Sequence, residues 1–146
     1  MDLLNHILLG IDVAISPVNL YYCLLGCVIG TLIGVLPGLG PTATISMLIP
    51  MTYGLGPIPS IIMLAGIYYG SQYGGSTTSI LLNTPGEVSS VMTCVDGHQM
   101  TKQGNAGTAI FAAGFASFIA GCIATVLIAA FSPPLSKLAF MFGAAE

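Results

Sequence analysis

From residue 13 to residue 86, and again from residue 103 to residue 136, this 146-residue chain carries no charged side chain. About 20 apolar residues cross the hydrocarbon core of a bilayer as a helix, so each run is longer than one crossing. Soluble domains carry about 25% charged residues; here the figure is 5%, with a mean hydropathy of +0.95. Backbone N–H and C=O groups in lipid must be satisfied within their own segment. The chain therefore reads as an all-α integral membrane protein, a polytopic helical bundle.

Residues 1–16 open with Asp2 and lack a basic leader, unlike a secretory signal. Leu3, Leu4, Ile7, Leu8, Ile11, Ala14 and Ile15 follow helical spacing on one face, the pattern of an amphipathic helix lying at the interface. Residues 17–146 form the membrane domain, with about three to five membrane segments. Its first span, 18–36, is entered through Ser16 and Pro17 and stopped by Pro37. Its last, 108–131, is expected to end at Ser132, Pro133 and Pro134, with a new segment beginning over 135–142. Lys102 and Lys137 flank this span and leave the positive-inside rule tied.

Small residues recur at every fourth position. Gly26, Gly30 and Gly34 form one ridge, Gly66, Gly70 and Gly74 a second, and Ala112, Ala116, Ala120 and Ala124 a third. Such ridges let helices approach closely, so they read as helix packing. The tyrosines near span ends read as interfacial anchors. Residues 94–107, "CVDGHQMTKQGNAG", read as an aqueous loop turning at Asp96-Gly97, with His98 solvated.

Several function classes drop out. Net charge is −3 and there is no arginine, so nothing recruits nucleic acid. Cys23, Cys27, Cys94 and Cys122 lack a paired metal-ligand spacing, and no phosphate-binding loop, nucleophile elbow or zinc-protease motif occurs. The chain is not read as an enzyme and needs no cofactor.

What remains is a pair of interruptions, 36–41 and 74–86. Non-helical backbone at membrane depth survives inside protein or beside a water-filled cavity, and transporters place such breaks at their substrate sites. After "PGLGP", Thr42, Thr44 and Ser46 begin a helix whose first-turn N–H groups suit an anion. The second interruption offers Ser76, Thr77, Thr78, Ser79, Asn83 and Thr84. Neutral oxygens of this kind suit a hard cation, by extension from Ca²⁺ and Mg²⁺, and Ser76, Thr78 and Asn83 are the Na⁺ ligands expected. Each interruption alone reads equally as a structural kink. Glu87 reads as a capping or a solvated carboxylate.

Three motifs, "GVLPGLGPTATISMLIPMTYGL", "LAGIYYGSQYGGSTTSILLNTPGEVSS" and "DGHQMTKQGNAGTA", resemble the large membrane subunit of the tripartite tricarboxylate transporters, in order and at natural spacing. The resemblance runs from about residue 11 to the end. It implies a secondary transporter of the bacterial inner membrane, working with a small membrane subunit and a periplasmic binding protein that delivers a carboxylate, with Na⁺ as coupling ion. It also implies the N-terminal half of an inverted-repeat transporter with interrupted, re-entrant helices. Carried over by position, Pro37, Gly38, Gly40 and Pro41, with Thr42 and Thr44, form one half of the site. Gly75, Ser76, Thr77, Thr78, Asn83, Thr84 and Pro85 form the other. The competing expectation is a truncated module that packs or assembles in the membrane without transporting.

Overall fold

The computed structural model describes residues 2–139. The elements in chain order are α1 (Asp2–Ile15), α2 (Pro17–Gly34), α3 (Pro41–Leu48), a 3₁₀ turn (Ile49–Thr52), α4 (Pro57–Leu82), a second 3₁₀ turn (Val88–Ser90), α5 (Val91–Lys102) and α6 (Ala106–Ala139). Among the described residues no strand occurs. α2 and the stretch Ala106–Ser132 of α6 are long and apolar enough to cross a membrane.

The core is the α2–α4 pair, and glycine makes it. A methyl group added at Gly26, Gly30 or Gly34 would collide with the carbonyls of Met63, Ile67 and Ser71 in turn. Reciprocally, Cβ atoms at Gly66 and Gly74 would lie 2.6 Å from Cys23 O and 2.5 Å from Thr31 O, and one at Gly70 would strike Cys27 O. Both ridges thus face each other, backbone against backbone, as their fourfold spacing predicts. Residue numbers rise together along both helices, so α2 and α4 run parallel.

Two parallel helices in sequence need a return path between them. It is supplied by α3 and its 3₁₀ extension, which run antiparallel to α4: Thr44 Oγ1 lies 3.4 Å from Ser71 Oγ, and Ser60 Oγ donates to Thr52 O at 3.2 Å. The helix begun at Pro41 tightens at Ile49, because Pro50 has no N–H to give the preceding turn and its ring crowds that turn.

Three expectations are corrected. α4 continues unbroken through Gly74 and the hydroxyl cluster to Leu82, so the second interruption shrinks to residues 83–87. Helical glycine costs about 1 kcal/mol relative to alanine, but here the missing side chains admit α2. The hydroxyls of Ser76, Thr77, Thr78 and Ser79 donate to the carbonyls four residues back, at 2.8–3.1 Å, and are satisfied inside the helix. Of the loop expected over 94–107, residues 94–102 instead belong to α5. Gly97 allows Ile80 to press in, its added Cβ falling 2.8 Å from Ile80 Cγ1, while His98 Nδ1 (3.1 Å) and Thr101 Oγ1 (2.8 Å) reach Ile80 O near the end of α4. His98 is therefore a packing residue, and the turn moves to Gly104, at φ +82°.

Finally, α6 passes through Ser132, Pro133 and Pro134 to Ala139. Proline's φ is already helical, and its lost donors concern only the carbonyls of Ala129 and Ala130. Such prolines are tolerated in membrane helices. The expected segment over 135–142 lies in part beyond the described residues. α6 meets α4 through Gly114 and Gly121, set against Tyr73 and Tyr69, rather than through the alanine ridge. Ala112 and Ala116 stay exposed.

Candidate functional site

Both interruptions are built by residues that free the backbone. At the first, α2 ends at Gly34, Gly38 takes φ +91°, and extended Gly40 precedes Pro41, the first residue of α3. At the second, Asn83 closes α4 in the left-handed conformation, φ 57°, a common helix stop. Residues 84–86 then turn back along α4, so that Gly86 lies against Gly75: a Cβ on Gly86 would sit 2.5 Å from Gly75 Cα and 3.4 Å from Gly34 O. Glycine is required at this crossing because a side chain there would collide with main chain.

The interruptions touch. Gly38 N–H donates to Gly86 O at 3.4 Å, a long bond that joins the two non-helical segments. Beside that bond lies a cavity of about 670 Å³. Gly38, Gly40, Pro41 and Thr42 form one wall; Pro85, Gly86, Glu87, Val88, Ser89 and Val91 form the opposite one. Tyr68 and Gln72 of α4 close the back, with Gln72 Nε2 donating to the Tyr68 hydroxyl at 3.2 Å. Ligand cavities commonly span about 300–1,000 Å³, so a small organic anion fits with room for water.

Of the expected site residues, Gly38, Gly40, Pro41, Thr42 and Pro85 line this cavity. Pro37 is exposed at the same interruption, outside the lining. Thr44 is fully buried, its hydroxyl on Gly40 O and beside Ser71. Gly75 is buried behind Gly86. Thr78 bridges Val35 O and Gly74 O between α2 and α4. Ser76 and Thr77 are turned to their own helix, and Asn83 and Thr84 are exposed at its end. In a continuous helix, positions two apart do not face each other, so Ser76 and Thr78 do not converge on one ion together with Asn83.

Tyr68, Gln72, Gly86, Glu87, Val88, Ser89 and Val91 line the cavity without having been singled out as ligands. Gln72 had a signal: it is the one glutamine within the uncharged run 13–86. Glu87 is held where its capping expectation puts it. Its side chain accepts the Ser90 N–H, its own N–H donates to Ser90 Oγ at 3.2 Å, and Ser89 Oγ donates to Oε1 at 2.6 Å.

The two roles open to Asn83 separate cleanly. If it acts by closing α4, Asn83→Gly keeps stability near wild type, while Asn83→Ala loses on the order of 1 kcal/mol because alanine resists positive φ. Thermal unfolding in detergent measures this; equal loss in both variants would show that the side-chain amide matters instead.

Paired glycine-packed helices, helices long enough to span a bilayer, and interruptions joined beside a cavity define an all-helical membrane protein. The description "Tripartite tricarboxylate transporter TctA family" belongs to a family model that matches residues 20–146. The chain belongs to that family, which is one of transporters and not of enzymes. It is also 56% identical, over all of its length, to an "Uncharacterized 52.8 kDa protein in TAR-I ttuC' 3'region" from Agrobacterium vitis. The match covers 29% of that protein, so the chain spans less than a third of this curated relative. No solved structure matches.

Proposed function

We propose that this chain forms part of the permease subunit of a secondary transporter that carries a di- or tricarboxylate across the bacterial inner membrane. The bond between Gly38 and Gly86 carries the reading, because it brings both interruptions to one cavity of suitable size. The substrate's carboxylates would meet the first-turn N–H groups of α3 at Thr42 and Ala43, where the helix dipole favours negative charge. Gln72 and Tyr68 would fix its orientation. The freed carbonyls of the interruptions would supply oxygens for Na⁺ as coupling ion. Family membership supports a small membrane subunit and a periplasmic binding protein as partners.

The test is uptake of radiolabelled citrate, succinate and tartrate into proteoliposomes containing this chain within its complete transporter. The reading expects Na⁺-dependent uptake of at least one of them, reduced roughly tenfold in Gln72→Leu, about the 1.4 kcal/mol of one lost polar contact. Uptake of none, or uptake untouched by Gln72→Leu, would overturn it. A packing module without transport is the outcome the glycine ridges alone would permit.

A further inference from the structure

Resting on the proposed carboxylate site, we infer that Glu87 is where the coupling cation is held. Among the described residues lining the cavity none is basic, and Glu87 is the one carboxylate. A transported polyanion placed between the walls would face a carboxylate of its own sign and be repelled by it. Neutral donors hold Glu87 in position, the Ser89 hydroxyl and the Ser90 N–H, and bring no formal charge. A carboxylate offers about four acceptor sites, so oxygen lone pairs remain free.

A hard monovalent cation removes the conflict. It binds the free lone pairs of Glu87, completes its shell with hydroxyl and carbonyl oxygens of the two walls, and presents positive charge to the substrate. The anion then lies against the N-terminus of α3 and the cation against the second interruption. Each then raises the other's affinity, which is the thermodynamic condition for coupled transport. These hydrogen bonds do not require the charge, since the amide oxygen of a glutamine can accept the Ser90 N–H and the Ser89 hydroxyl as the carboxylate does.

Glu87→Gln therefore removes the charge while keeping the fold, and Glu87→Asp keeps the charge. Binding of ²²Na⁺ to the complete transporter without any carboxylate, and binding of citrate across a Na⁺ titration balanced with choline, are the two readouts. The expected result is that Glu87→Gln raises half-saturating Na⁺ roughly tenfold or more in both, while Glu87→Asp stays closer to wild type and all three proteins melt alike. Wild-type Na⁺ dependence in Glu87→Gln, or dependence on pH alone, would overturn the assignment. If wild type binds ²²Na⁺ through Glu87 but never citrate, the cation site stands and the carboxylate reading fails.

Discussion

Gly30→Val should abolish the folded form of this chain, and Gly70→Val should do the same. Both residues lie at the middle of the α2–α4 pair, where an added Cβ meets the backbone of Ile67 or of Cys27. A flexible neighbour could move aside, but main chain in a helix cannot, so the helices must part along their length. Overpacking a well-packed core typically costs about 1–3 kcal/mol. Here a single methyl reaches that range, and valine's second branch exceeds it. Membrane helices gain nothing from hydrophobic exclusion in lipid, so lost contact between them is not recovered elsewhere. The expected outcome is aggregated protein on size-exclusion chromatography for both valine variants and a clearly lowered melting temperature for Gly30→Ala. Gly107→Ala, in α6 with nothing within 4 Å, should melt at or slightly above wild type.

The glycine ridges also show how far the sequence carries. Their spacing predicts close packing, and that packing is the core of the fold. The direction of packing is not written in the spacing, because a fourfold ridge serves parallel and antiparallel pairs alike. It emerges only from the return segment: prolines 41, 50 and 57, with Gly40 and Gly56 before the first and last, make the connection helical yet short enough to double back. α4 was obscured by a different competition. Gly74, Gly75 and four consecutive hydroxyl residues lower helix propensity, but close contact with α2 and carbonyls four residues back satisfy them. α5 was obscured by Asp96-Gly97, a good turn pair whose glycine instead makes room for Ile80.

For the site, the first interruption is legible almost residue by residue, since Pro37, Gly38 and Gly40 break a helix and Pro41 suits the first position of the next. The second begins later than its glycines and hydroxyls suggest. Its hydroxyls announced polarity, yet polarity inside a helix is satisfied locally; the residues that leave the helix are those after Asn83. Thus Thr78 proved a bridge to Val35 O, and Glu87 and Ser89 came forward to the cavity wall. Gln72 reaches the cavity because α4 stays helical, with Tyr68 one turn away on the same face.

The central claim is that substrate enters the cavity between the two interruptions. Its most direct test is chemical protection at opposite walls. Thr42 and Ser89 are exposed, stand just after different interruptions and line the same cavity. In a variant with Cys23, Cys27, Cys94 and Cys122 replaced by alanine, single Thr42→Cys and Ser89→Cys proteins are labelled with a charged methanethiosulfonate reagent. Ligands in a cavity of this kind bury about 70–90% of their surface. A bound carboxylate should therefore slow labelling at both positions by roughly tenfold, with Na⁺ present, and leave a cysteine at half-exposed Thr77 unaffected as a control outside the cavity lining. Protection of both walls together is the predicted result; unchanged rates at both, with saturating substrate known to be transported, would contradict the account.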